Sequence, residues 1–494
     1  MRTFHSTLAA LLLLSSALLI APATPARAAG TIGSGTPASC SFVALKEAIA
    51  SGGEITFNCG SSPHTISFAE TIELQNTVTL DGGGKITLGG NGRQLVLQRS
   101  FDRTASLFTL RNLTISGGRA SGAGDAANGG AIRSVNNSFD GKSFPQVLTI
   151  ENVTFSDNDT NLTSFNGDAY DFGGGAIYSI GGRVVIKNSS FRDNDAVNSA
   201  GGAIHMLQSA LSIESTSFTN NTALGKTPAD SLGGAIYIDG LGLTDANASF
   251  TLTGSVFENN KAYNAGGAIY INTYENTNSL VIEQTRFSNN AVVAGNRAQG
   301  GAIGGGGTNS SPRVAISRSL FNGNTAKSSN DPFDGSGGAL SFAQTVTLRI
   351  ENSTFVANRA EGTGKGYNAN GGALYIVNHS TPFEIVSSTF ANNFAGWVGG
   401  AISSSDTGGS LRNTLFSNNT ATGIANFQQH CSNELTDSGG NFQFPGRLTG
   451  DNYYNDVTCF KEKSKPDQKN DPVFRDPKLA ALADNGGSTQ TMAI

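Results

Sequence analysis

The residues best placed for chemistry recur at one position of a repeated motif. Nine times the chain carries Gly-Gly-Ala-Ile or Gly-Gly-Ala-Leu, beginning at Gly129, Gly174, Gly201, Gly233, Gly266, Gly300, Gly337, Gly371 and Gly399. The next residue reads Arg133, Tyr178, His205, Tyr237, Tyr270, Gly304, Ser341, Tyr375 and Ser403. In a strand that residue points away from the face its apolar neighbours bury. With copies about 4.8 Å apart, Tyr178, His205, Tyr237 and Tyr270 make an outward stripe about 15 Å long. Asp239 and Asn272, two positions on, face the same way. Flat rings with an interleaved carboxylate and amide suit a sugar chain, through C–H packing and hydroxyl bonding. Tyr178, Tyr237, Tyr270, Asn272 and Tyr375 are therefore candidate ligand-binding residues. Asp239 and His205 are the candidate catalytic pair for cleavage, in a polysaccharide lyase or a glycoside hydrolase. The same stripe also serves a sheet with no ligand, since Tyr favours strands and pairs across them.

The loops ahead of each Gly-Gly are the second candidate, because loops on a rigid scaffold concentrate function. They run from about 5 to 15 residues and carry Tyr170, Asp171, Asp230, Tyr263, Arg297, Asp331, Phe333, Asp334, Lys365, Tyr367 and Trp397. Trp397, the only Trp in the chain, is either a binding platform or a packing residue. The calcium-binding Gly-Gly-x-Gly-x-Asp nonapeptide is absent, so no cofactor is expected and no motif indicates calcium.

A second tetrad says what positions these residues. Phe-x-x-Asn begins at Phe155, Phe191, Phe218, Phe257, Phe287, Phe321, Phe355, Phe390 and Phe416, alternating strictly with the glycine tetrad over cycles of 26 to 45 residues. Five residues before each Phe stands Ile or Leu, from Ile150 to Leu411, mostly between polar neighbours, as in Thr149-Ile150-Glu151. That alternation signals half-buried strands. Such a unit cannot bury its apolar face alone; stacked copies can, Phe on Phe and Asn on Asn at a corner. The expected fold is an all-β, right-handed parallel β-helix of the pectate-lyase-like solenoid kind. Its open ends need lids. Residues 41–50 have a helical pattern with Phe42, Leu45 and Ile49 on one face and Ser41 as cap. Residues 420–494 lose the repeat, and Pro477-Lys-Leu-Ala-Ala-Leu-Ala reads as a short helix.

Residues 1–28 read as a secretory signal, with Arg2, an apolar run from Leu8 to Ile20, and Ala26-Arg27-Ala28 for cleavage. No other segment could span a membrane. The mature protein is thus expected to be exported, at the cell surface or beyond it, as a monomer. The division is 1–28 signal, 29–110 N-terminal cap and first coils, 111–420 repeats, and 421–494 C-terminal cap. Cys40, Cys59, Cys431 and Cys459 sit at the two ends, and export favours disulfides. Of three connectivities, the local one, Cys40–Cys59 with Cys431–Cys459, is the simplest; each loop would stabilise by roughly 3 kcal/mol. Net charge is −5, with only 14% charged residues and no basic face, which argues against a nucleic-acid partner. Collagen is excluded because the glycines are not every third residue.

The paired tetrads resemble the repeats of chlamydial polymorphic outer membrane proteins. Cys40-Ser-Phe-Val-Ala-Leu-Lys-Glu-Ala-Ile, Ile55-Thr-Phe-Asn-Cys59-Gly60 and Asp476-Pro-Lys-Leu-Ala-Ala-Leu-Ala-Asp-Asn-Gly-Gly487 resemble the start and tail of exported bacterial β-helix proteins with a CSLREA-like N-terminus. Those resemblances imply the β-helix and export, and an adhesin or surface structural role. The residues themselves favour an extracellular polysaccharide, bound along the Tyr stripe with or without cleavage.

Overall fold

A computed structural model describes residues 28–100, 106–136, 146–165, 169–225, 231–240, 249–273, 279–294, 298–307, 312–329, 335–342, 346–362, 369–377, 383–405, 408–423, 429–446, 459–460 and 472–494. The expected signal segment lies outside these residues, apart from Ala28.

One coil shows how the repeat folds. Arg183–Lys187 is a strand with Val184 and Ile186 inward; Ser190–Arg192 carries Phe191; Asp195–Val197 turns Ala196 inward; Ile204–Leu207, after the glycine tetrad, completes the turn. Each strand pairs in parallel with its copy one coil away. The result is a right-handed parallel β-helix with an unbroken core along its axis. Register is kept residue for residue, so Phe155, Phe191, Phe218, Phe257, Phe287, Phe321, Phe355, Phe390 and Phe416 pair in series. Their rings lie 4.6–5.3 Å apart and nearly parallel.

The corner after each Phe is a hydrogen-bonded ladder. Asn260 is fully buried. Its Oδ1 accepts from the backbone N–H (3.0 Å) and the side-chain amide (2.9 Å) of Asn221. Its own amide donates to Asn290 Oδ1 and to the Phe218 carbonyl, both at 2.9 Å. The pattern recurs from Asn158 to Asn419. The corner before each Phe has a hydroxyl version, in which Ser189, Thr216, Ser255, Thr285, Ser319, Ser353 and Ser388 accept the backbone N–H of the preceding coil.

A helix packs on the core at the N-terminal end, as the sequence implies. Helix α1, Phe42–Ser51, is capped by Ser41 Oγ accepting from the Ala44 N–H, and it buries Leu45 and Ile49 over the first coils. Cys40–Cys59 and Cys431–Cys459 are the disulfides, and all four cysteines join the core. The tail corrects one expectation. The Pro477–Ala483 stretch is no helix; Leu482–Ala483 and Thr491–Met492 form the antiparallel pair of a hairpin. The hairpin runs back along the outside of the solenoid. Leu479, Leu482 and Met492 pack on Leu320, Val356 and Ala391, and Thr489 Oγ1 donates to the Arg318 carbonyl. The row of Val356 and Ala391 carries Arg192, Thr219, Glu258, Ser288 and Asn322 in earlier coils, and becomes apolar where the tail lands.

Two outcomes are expected on unfolding in denaturant. Asn260→Ala strands two donors of Asn221 and the Phe218 carbonyl, and should cost about 3 kcal/mol or more. Asn259→Ala, at the adjacent outward position with φ +57, should cost only about 1 kcal/mol. Equal losses would show that the ladder is not what holds the corner.

Candidate functional site

The face that carries the candidate residues begins at the paired glycines. Gly201 has φ +70, and a Cβ there would meet the Ile204 carbonyl at 2.2 Å; one on Gly202 would meet the Gly234 carbonyl at 2.0 Å. Only glycine permits so tight an entry, which fixes the register of the strand that follows.

That register places the outward row as expected. Tyr178 pairs with His205, His205 with Tyr237, and Tyr237 with Tyr270, while Met206, Ile238 and Ile271 point into the main core. The rings are in contact, with centroids 5.1, 4.8 and 5.9 Å apart in turn; the first two pairs are tilted and Tyr237 stacks on Tyr270. The row is not an open platform, however. Tyr178 is 4% exposed, His205 0% and Tyr237 1%. Ala200, Leu232 and Ala265, just ahead of the glycines, form a small second core with Tyr237 and Tyr270. Backbone bridges Leu232–Ala265 and Ala265–Gln299 tie that outer layer together. The stripe is therefore largely roofed, and Tyr237 is a packing residue.

His205 is not brought to a substrate position. Its Nδ1–H donates to the Ala200 carbonyl at 3.2 Å, since a carbonyl can only accept. Its Nε2 is buried with no hydrogen-bond partner. Burial pushes its pKa down to about 3, against the weaker pull of the Ala200 and Phe172 carbonyls. Asp239 stands beside Leu207 in the register, not beside His205. It accepts from Asn272 Nδ2 at 3.2 Å. The expected pair is thus a buried neutral imidazole and a carboxylate on the next strand.

The remaining candidates scatter. Tyr270 and Asn272 are half-buried at the far end of the roofed row, with burial and then Asp239 raising the Tyr270 phenol. Tyr375 is half-buried and separated from Tyr270 by Gly304 and Ser341 in the ladder. Trp397 is half-buried against Gly423, with its backbone N–H on the Ala369 carbonyl. Tyr263 is half-buried. Asp230, Arg297, Asp331, Phe333, Asp334, Lys365 and Tyr367 lie outside the described residues, as does the side chain of Tyr170.

What the structure does assemble is a cleft of about 660 Å³ at the N-terminal end of the stripe. Asp125, Asp171, Phe172, Tyr178, Ile180, Leu207, Gln208 and Asp239 line it. Asp125 comes from the 3-10 turn Gly124–Ala127 and Asp171 from the turn Ala169–Asp171, both ahead of a glycine tetrad. Tyr178 is the last aromatic of the stack, because its other neighbour in the ladder is Arg133. Arg133 is held by Asp125 at 2.6 Å. Burial first, then the Asp125 and Asp171 charges, raise the Tyr178 phenol, so it stays protonated. Asp125 and Gln208 escape sequence reasoning. A signal for Gln208 exists: it holds φ +45 where the neighbouring coils have Gly181 and Gly240. The cleft can offer carboxylates, an amide and a phenol around the apolar faces of Phe172, Ile180 and Leu207.

Among known proteins, the Chlamydia polymorphic membrane protein (Chlamydia_PMP) repeat matches residues 215–239 and 254–272. These segments contain two Phe-x-x-Asn and two glycine tetrads. No curated protein matches the chain. Among solved structures it is similar to the bacteriophage CBA120 tailspike protein 3 (TSP3, orf212), at 10% identity and a TM-score of 0.29, over 82% of this chain. The chain spans 58% of that tailspike. The protein is a parallel β-helix with repeats like those of the polymorphic membrane proteins.

His205 sets an acid limit. Between its folded value near 3 and its ordinary 6.5, the unfolded chain takes up a proton that the folded chain refuses. Stability present above about pH 6.5 is therefore lost as pH falls, by up to about 1.4 kcal/mol per pH unit. His205→Phe keeps a ring in the stack and should flatten this limb in denaturant titrations between pH 6.5 and 4.5. His430, pushed down to about 4 by burial, acts with the same sign and remains in the variant. Parallel profiles for the two proteins would refute this assignment.

Proposed function

We propose that this is an exported β-helix protein, acting as a monomer, that binds an extracellular polysaccharide in the cleft around Tyr178. The observation that supports this reading is the cleft itself. It joins apolar faces at Phe172, Ile180 and Leu207 to Asp171, Gln208, Asp239 and the phenol of Tyr178. Sugar sites combine such surfaces with a few convergent polar groups. Disulfides at both ends accord with export, as does the reading of residues 1–28 as a signal. The division at 29–110, 111–420 and 421–494 is proposed with it.

An adhesin or surface structural role is the second reading, and a different face favours it. In the row after the inward Ala, Val197, Leu224 and Val293 stand out at 39%, 37% and 41% exposure, an apolar line suited to a protein partner.

Retention of the intact protein on insoluble plant, algal and bacterial polysaccharides, with an assay for new chain ends, tests the first reading. Binding is expected to at least one polymer, and Tyr178→Phe with Gln208→Gly should weaken it about tenfold or more while the melting temperature holds. New chain ends abolished by Asp171→Asn or Asp239→Asn would make the protein an enzyme. No retention on any polymer, or retention unchanged in the cleft variant and lost on changing Val197, Leu224 and Val293 to Ser, would sink the cleft.

A further inference from the structure

The Asn ladder ends on a histidine. Asn419 Oδ1 accepts from the backbone N–H (3.0 Å) and the side-chain amide (2.8 Å) of Asn393, which fixes the way its own amide points. Its Nδ2 therefore donates onward, to the Phe390 carbonyl at 2.8 Å and to Nδ1 of His430 at 3.1 Å. An amide NH2 only donates, so Nδ1 must accept and carries no proton. The proton of the neutral ring sits on Nε2, which donates to the Pro445 carbonyl at 3.3 Å. His430 is fully buried in this arrangement. Unlike the Asn residues that precede it, this last member of the ladder can take a charge. A second ring proton would sit on Nδ1, facing the Asn419 NH2, donor against donor.

What His430 holds is the C-terminal cap. Its carbonyl accepts from the N–H groups of Ala401 and Ile402, and Gln429 accepts from Gly399 and Gly400. Cys431 follows directly and is bonded to Cys459, beside Phe460. His430 and Phe460 both meet Phe416, the last ring of the Phe stack, edge-on at 6.2 and 6.0 Å. Among the described residues no charged side chain acts on the imidazole: Glu434, Asp437 and Arg475 in the cap and Arg412 on the strand beneath it contribute nothing to its titration. We propose that His430 is an acid-operated latch, whose protonation frees the cap strand around residues 429–432 from the last regular coil while the earlier coils stay folded. The end of a solenoid opens locally at low cost, because each coil contacts only its neighbours.

Burial holds the closed ring near 4, against the weaker pull of the Pro445 carbonyl, and a released ring returns to its ordinary 6.5. The preference for the closed cap is therefore complete above about pH 6.5 and lost as pH falls, with opening favoured up to about tenfold per pH unit until it levels off near 4. The test is amide hydrogen exchange on the full, disulfide-intact protein from pH 7 to 4, corrected for the intrinsic pH dependence of exchange. The Ala401 and Ile402 amides should lose protection about tenfold per pH unit below 6.5. The Ala302 and Ile303 amides, bonded to the Ala339 carbonyl in mid-solenoid, should not. His430→Asn offers Asn419 an uncharged acceptor and should abolish the dependence; His205→Phe should keep it. No pH dependence at Ala401 and Ile402, the same dependence in His430→Asn, or equal loss of protection at Ala302 and Ile303 overturns the latch. If His430→Asn does not fold, nitrogen NMR of the unaltered protein decides. A bare Nδ1 at pH 7 with titration near 4 supports the latch, and a proton on Nδ1 or titration near 6.5 overturns it.

Discussion

The structure depends on one constraint: a side chain inside a thin solenoid must be satisfied by its own copy one coil away. At the corner after each Phe this is literal. Each buried Asn accepts from the preceding copy and donates to the following one, so a single residue type completes the bonding of a dry corner. The hydroxyl row from Ser189 to Ser388 does the same at the other corner with backbone donors. Because parallel copies sit about 4.8 Å apart, like residues stack at a distance that suits both an amide bond and a ring face. A slip by one residue would turn every Phe to solvent and orphan every Asn, so the register is held by all coils together.

That constraint leaves freedom where the coil is not repeated. The loops ahead of the glycines vary in length, because only their ends enter the ladder. Their last residues, such as Leu232 and Ala265, still meet their neighbours in bridges and so lay a second layer over the Tyr row. The outer surface is thereby divided into roofed stretches and open ones, and the cleft is an open one, where Asp171 and Asp125 flank the stripe from two successive turns.

The repeat lines were legible because they are periodic. The Phe stack, the Asn corner, the glycine entry and the capping helix all follow from spacing alone, and the disulfides fall where local pairing puts them. What was illegible depended on contacts between different repeats. Tyr237 and His205 do face away from the main core, but sequence alone did not show that Ala200 and Leu232 would cover them. Leu479 and Leu482 have helical spacing, yet their partners Leu320 and Val356 lie more than a hundred residues earlier, and docking there favours a hairpin. Asp125 was hidden for a similar reason: its companions in the cleft belong to later coils.

The position of the cleft follows from where the repeat changes. Inside the stripe His205 and Tyr237 are each covered on both sides by another ring, which leaves little room for a ligand to insert. At Tyr178 the series ends, because the coil before offers Arg133, whose charge is drawn off by Asp125. The terminal ring is rigid because His205 and Tyr237 back it, and its hydroxyl is held among charges. A recognition site needs preorganised groups beside open space. A uniform solenoid supplies the first everywhere and the second only where a row is interrupted. Chemistry in this protein is therefore to be sought at breaks in the repeat, of which Tyr178 beside Arg133 is one.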